Sequence, residues 1–205
     1  MTVKTNYEKW YEGEDYYWGV EPAELCHELI KLVKPGKDVK VLDIGCGEGK
    51  DAVFMAKQGY DVTAFDITTN GINKTIRMAE ENNVKINAFV ADINDFEIDD
   101  TFDIIYSTGT IQYLEDDKID GFFAKVQKMT RPNGINWFNV FVDKPFIPLP
   151  PDWDVYEKLW PAAKLFTFYP DWLFERIDEY VFECHSSGVP HLHCMDVLVA
   201  RKSSE

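Results

Sequence analysis

The chain has 205 residues, 45% hydrophobic, 15% aromatic and 28% charged, enough for one domain with a buried core and too few for two enzymatic domains. With 21 Lys and Arg against 36 Asp and Glu, its net charge of −15 argues against nucleic acid or an acidic membrane surface as partner, and for a small neutral or cationic molecule. No basic flank precedes an apolar leader, no run of about 20 apolar residues suits a membrane span, and Cys26, Cys46, Cys184 and Cys194 show no CxxC or disulfide framework, so a reduced, cytoplasmic monomer or homodimer is expected.

In chain order, residues 1–35 read as a helical and aromatic cap, with 1–7 a disordered end like 203–205 at the other terminus. Apolar and β-branched runs at 39–44, 62–66, 86–91, 102–107 and 135–142 predict strands. Helices are predicted at 51–58, 69–82 and 117–130, the last from Ile119, Phe122, Phe123, Val126 and Met129 at three- and four-residue steps. Pro35-Gly36 and Arg131-Pro132-Asn133-Gly134 are turn signals ahead of two of the strands. Residues 144–170 form a Pro- and aromatic-rich insert, with Phe146, Trp153, Tyr156 and Trp160 expected to roof a substrate pocket. A short helix at 170–177 and an antiparallel pair of strands at 180–185 and 195–200 complete the series. Such alternation predicts an α/β fold in one domain, 1–205, with a mostly parallel sheet between helices.

The first strand runs into Asp43-Ile44-Gly45-Cys46-Gly47-Glu48-Gly49 and then a helix, a turn that lets a ligand approach the backbone closely. A dinucleotide fingerprint G-x-G-x-x-G needs glycine at position 50, where this chain has Lys50; Gly45, Gly47 and Gly49 are spaced G-x-G-x-G instead. Asp43 repels a pyrophosphate but attracts a ligand bearing ammonium and sulfonium charges, and S-adenosylmethionine is such a ligand. Cys46 is expected to pack against the sheet rather than act as a nucleophile.

The ends of the later strands extend the pattern. Asp66, with Ile67 beside it, closes the second strand about 20 residues on, placed to accept from both ribose hydroxyls or else to cap the next helix. Asp92 follows the third, placed for an adenine amino group with Ile93 against the ring, or for a turn. Ser107 and Thr108 end the fourth at the carboxyl edge of the sheet and are expected to line the methionine end of the cofactor. Tyr16-Tyr17-Trp18 offers aromatic faces that either favour a sulfonium by cation–π attraction, about 0.5–2 kcal/mol, or clamp the core.

Through these residues, and through Arg131-Pro132-Asn133-Gly134 where a Lys/Arg-Pro-Gly-Gly turn is usual, residues 39–200 resemble the class I, seven-β-strand methyltransferases. Gly59-Tyr60-Asp61-Val62, Ser107-Thr108, Phe166-Thr167-Phe168, Glu183-Cys184-His185 and the ending Leu198-Val199-Ala200-Arg201-Lys202 are most similar to the tellurite-resistance TehB group. The resemblance implies a Rossmann-like three-layer sandwich with sheet order 3-2-1-4-5-7-6 and the last strand antiparallel. It implies methyl transfer from S-adenosyl-L-methionine to a small acceptor such as tellurite, selenite or a thiol. It also implies substrate-site roles for His185 and Asp143, the positions matching that group's His and Asp. Ser186 stands where the group carries Arg, so that cation toward an anionic acceptor is missing.

Three other readings compete. A nicotinamide oxidoreductase conflicts with Asp43 and with the spacing to Lys50. A non-catalytic S-adenosylmethionine sensor or assembly subunit keeps the cofactor residues but fills the acceptor space. His185, His191 and His193 with Cys184 and Cys194 suggest a metal, but strand alternation turns Cys184 and His185 to opposite faces, so no metal is expected.

Overall fold

The computed structural model describes residues 3–149, 158–185 and 189–204. Its strands are β1 Lys40–Ile44, β2 Asp61–Asp66, β3 Asn87–Val90, β4 Phe102–Ser107, β5 Thr130–Asp143, β6 Trp160–Pro161, β7 Leu173–Cys184 and β8 His191–Arg201. The main sheet runs β3-β2-β1-β4-β5-β8-β7, with the two-residue β6 beside the end of β5. β8 is antiparallel to both its neighbours and the other pairings are parallel. Apart from the small β6, this is the predicted order with its antiparallel last strand.

Strand alternation divides the core into two layers. Leu42 and Ile44 of β1, with Phe138 and Val140 of β5, face α5 (Ile119–Met129), whose Phe122, Phe123 and Val126 meet them. Val41, Ile104, Tyr106 and Trp137 face the other way, toward Leu29 of α2 (Glu24–Leu32) and Met55 of α3 (Lys50–Gln58). α4 (Thr69–Glu81) lies on this second side through Met78 and Ala79, which pack with Val53 of α3. Each such fully buried side chain is worth about 1.5–3 kcal/mol. No described helix is long and apolar enough to cross a membrane.

Several sequence expectations are corrected. The expected disordered end contains α1 (Val3–Trp10). The helix expected at 170–177 is absent: Trp172 closes a turn on Tyr169, and β7 begins at Leu173. Leu173, Phe174 and Ile177 suggest a helical stripe, but they are exposed, while Arg176, Asp178, Tyr180, Phe182 and Cys184 alternate toward the half-buried side. Period two prevails because β8 offers a full-length partner. The Arg131–Gly134 turn signal lies inside β5 as an irregularity, with Asn133 in the left-handed region at φ 62° and a register shift against β4 between Phe102 and Ile104. Trp160, expected in a pocket roof, is fully buried against Phe123 and Phe168, while Phe146 and Leu149 are exposed. Trp153 and Tyr156 lie outside the described residues.

Candidate active site

The carboxyl ends of the parallel strands open into a cavity of about 950 Å³, near the upper end of the range for small-molecule sites. Asp43, Gly45, Gly47, Asp66, Ile67, Asp92 and Ile93, all named by the sequence reading as cofactor residues, line it at the β1, β2 and β3 ends. It continues past Thr108, Gly109 and Asn139 to Phe141, Phe182, Cys184, His193 and Met195 on the far strands.

The loop is held by the carboxylate that ends the neighbouring strand β2. Asp66 Oδ2 accepts from the Gly47 N–H at 3.0 Å, and Asp66 Oδ1 accepts from the N–H and hydroxyl of Thr68 at 2.9 and 2.6 Å. Thr68 is the side chain that caps α4, accepting from Gly71 N, so Asp66 supports the cap rather than forming it. A carboxylate offers about four acceptor sites, which leaves capacity toward the cavity. Burial raises the Asp66 carboxyl pKa against these bonds.

Asp43 is 2% exposed, and its Oδ2 is buried with no hydrogen-bond partner among the described residues. Burial first, then the charge of Asp51, push its pKa well up. An orphaned buried carboxylate oxygen beside loop glycines suits a cationic ligand, so the residues fit S-adenosylmethionine. Asp92 Oδ1 accepts from Asn94 N at 2.9 Å, the turn that was the alternative reading, while the residue also lines the cavity.

Five predicted site residues lie off the wall. Gly49 is not at the cavity: its φ of 91° and the Thr75 side chain, 2.6 Å from where a Cβ would stand, make it a packing point between α3 and α4. Ser107 is fully buried and donates to Ile44 O at 2.8 Å, tying β4 to β1. Tyr16 turns its ring to Arg77 and Lys74 instead of to the cofactor. Asp143 is exposed at the end of β5. His185 is exposed and pairs with Glu183 at 2.9 Å. His193, which is 5% exposed, is the histidine on the wall.

Tyr17 and Trp18 of the expected aromatic segment do line the cavity, joined by Tyr7, Trp10 and Tyr11, which the sequence reading did not single out. The i, i+3, i+4 spacing of Tyr7, Trp10 and Tyr11 was the available signal. Trp10 stacks on Tyr17 at 5.5 Å, and the Trp18 indole donates to the Tyr11 hydroxyl at 3.0 Å. Glu48 fixes this cover by accepting from the N–H groups of Tyr17 and Trp18, both at 3.1 Å, and pairs in turn with buried Lys74 at 2.7 Å. Cys46 is no nucleophile here, since burial and the charges of Asp43 and Asp66 push its thiol pKa well up.

A model of the family described as tellurite resistance protein TehB matches residues 7–189 of the chain. The chain belongs to the TehB family. A probable S-adenosyl-L-methionine-dependent methyltransferase TehB of Haemophilus influenzae is 28% identical over 175 residues, covering 85% of this chain and 60% of that protein. The crystal structure of TehB from Haemophilus influenzae aligns with a TM-score of 0.79 at 26% identity, covering 88% of this chain and 62% of that one. A ubiquinone biosynthesis O-methyltransferase of Rickettsia bellii is 33% identical over 119 residues, 57% of this chain and 49% of that protein. The chain thus spans about 60% of the length of the TehB relatives it matches. Both curated relatives are named as methyltransferases, the TehB one as S-adenosyl-L-methionine-dependent, in agreement with the cofactor that the loop residues fit.

Proposed function

We propose that this chain transfers a methyl group from S-adenosylmethionine to a small soft acceptor, a chalcogen compound such as a thiol or a selenium or tellurium species, in the cytoplasm. The observation that carries this reading is the continuity of the cavity: it runs from Asp43 to a second, mainly apolar end at Phe141, Phe182 and Met195. A sensor that fills its acceptor space lacks that second end. The cofactor, when bound, supplies a methyl carbon already activated by its sulfonium.

The residues then position and enclose. Asp43 would favour the ligand's positive charge, Asp66 and Asp92 would accept from its ribose and adenine, and Ile93 would pack on the ring; all four line the cavity. Tyr17 and Trp18 cover the site and exclude water. Asn139 accepts from Gly109 N at 2.7 Å and so fixes the loop between the two ends of the cavity. In-line displacement depends mainly on such alignment. Sulfur and selenium nucleophiles carry available lone pairs and need little help from a base, which agrees with Asp143 and His185 lying off the wall.

The test is methyl incorporation from labelled cofactor with thiols, selenide, selenite, tellurite, amines and phenols. Incorporation into a chalcogen acceptor is the expected result. Reaction with an amine or phenol but no chalcogen acceptor overturns the substrate class, and absence of S-adenosylhomocysteine binding by calorimetry overturns the whole reading.

A further inference from the structure

The hairpin of β7 and β8 brings together three soft ligands that the sequence pattern alone disguises. Cys184 pairs with His191 across the two strands and Phe182 pairs with His193. Opposed residues share a face, as do residues two apart, so Cys184, His191 and His193 point to one side. Alternation sends His185 to the other. The expectation against a metal rested on Cys184 with His185, and that pair is irrelevant to this arrangement.

The ligating atoms of Cys184, His191 and His193 all lie within 4.8 Å of one another. The two imidazole Nε2 atoms are 2.9 Å apart. Nδ1 of His191 lies 2.8 Å from the Val189 carbonyl, which can only accept, so Nδ1 carries the proton and Nε2 is the ligating nitrogen. His193 is held between Phe141 and Phe182, with ring centroids 5.0 and 5.5 Å away. Zinc takes sulfur at about 2.3 Å and nitrogen at about 2.0–2.1 Å, so tetrahedral donors stand roughly 3.3–3.6 Å apart. Small side-chain rotations therefore bring the three donors to that spacing.

We propose that Cys184, His191 and His193 form a three-ligand site for a soft divalent metal, of which zinc is the type, at the acceptor end of the cavity. Thiolate and imidazole donors in an apolar surround favour such a metal over magnesium or calcium, which take oxygen ligands. Metal entry displaces the Cys184 thiol proton to solvent. Because Cys184 and His193 both line the cavity, the fourth coordination position opens into it. Three protein ligands with an open position is the arrangement of a site that takes an exogenous ligand rather than a closed structural site. That ligand is expected to be a soft anion such as a thiolate. The metal site stands by itself, whereas its use as a seat for the methyl acceptor rests on the function proposed above.

The test uses the full chain stripped with a chelator and titrated with zinc or cobalt(II). Expected are one zinc per chain and, with cobalt, a thiolate-to-metal charge-transfer band that Cys184→Ser abolishes and Cys194→Ala, altered on the opposite face, retains. Cys184→Ser and His191→Gln are each expected to weaken zinc about a hundredfold or more. A small thiol added to the cobalt form shifts its spectrum if the fourth position is open. S-adenosylhomocysteine binding, measured on the same samples, reports that each variant is folded. A cobalt spectrum without the thiolate band overturns the site, as does zinc affinity within about twofold of the parent in both ligand variants. Retention of the band with no S-adenosylhomocysteine binding in any sample overturns the methyltransferase reading and leaves the metal site standing.

Discussion

Asp66 and Asp43 are both buried carboxylates at the ends of neighbouring strands, yet their surroundings set them to different work. Asp66 accepts three hydrogen bonds from the loop and from Thr68, so its loss disorders the loop as well as removing a ligand contact. Asp66→Ala is expected to weaken S-adenosylhomocysteine about a hundredfold, near 3 kcal/mol, by calorimetry. An effect below threefold would show that the loop does not depend on this carboxylate. Asp43 Oδ2 has no partner among the described residues, and burial holds its carboxyl pKa well up. A cationic ligand binds the ionised form, so binding below that raised pKa must expel a proton, and affinity rises with pH through it. S-adenosylmethionine titrated in buffers of different ionisation enthalpy is expected to show proton release in the parent and less in Asp43→Asn. Equal release in both places the proton elsewhere.

The cover formed by α1 and the following segment shows how an element too short to hold itself is held by others. Eight residues are too few for a stable isolated helix. α1 is fastened by Glu8, which accepts from the N–H groups of Thr69 and Asn70 at the start of α4, at 2.7 and 3.0 Å. The next turn is fastened by Glu48 and Lys74, whose side chains are 1% and 6% exposed. Removing one partner of a buried pair costs about 3–5 kcal/mol, because the other charge is left uncompensated. Lys74→Met is therefore expected to lower unfolding free energy by about 3 kcal/mol, or to free the 15–18 segment locally and expose its amides to hydrogen exchange. The double variant Glu48→Gln with Lys74→Met should recover most of the loss, and strict additivity in that cycle would rule out the coupling. The glycine spacing and the strand-end carboxylates were legible in the sequence because they repeat a backbone requirement at fixed offsets. Glu48 was not, since it reads as a surface residue until Lys74 and two N–H groups arrive from elsewhere in the chain. The same holds for β7, where local stripes suggested a helix and only the partner strand decides the period.

Across the whole sheet, β8 is the strand that joins the cavity wall to the core. Its first half bears His191, His193 and Met195 at the carboxyl edge, and its second half packs Leu198, Val199 and Ala200 into both core layers. Between them sits Asp196, fully buried, opposite Val140 on one side and Glu179 on the other. Its Oδ2 accepts from Ala163 N at 2.7 Å, while Oδ1 has no hydrogen-bond partner among the described residues. Burial pushes the carboxyl up to about 6, with Glu179 adding to the rise and Lys144, itself paired to Glu179 at 2.6 Å, opposing it. In the unfolded chain the same group titrates at its usual value of about 3.9. The folded state thus holds the extra proton between those values. Its stability contribution is complete below about pH 4 and is lost as pH rises through about 6. The expected loss is about 3 kcal/mol at neutral pH. Asp196→Asn keeps an acceptor for Ala163 N and removes the ionisation, so at pH 7.5 it should be more stable than the parent by about 1–2 kcal/mol and should lack this term between pH 4 and 6. Urea unfolding at pH 4.5 and pH 7.5 measures both. A variant less stable than the parent at the higher pH would mean that ionised Asp196 is satisfied within the sheet, and that β8 carries its buried charge without penalty.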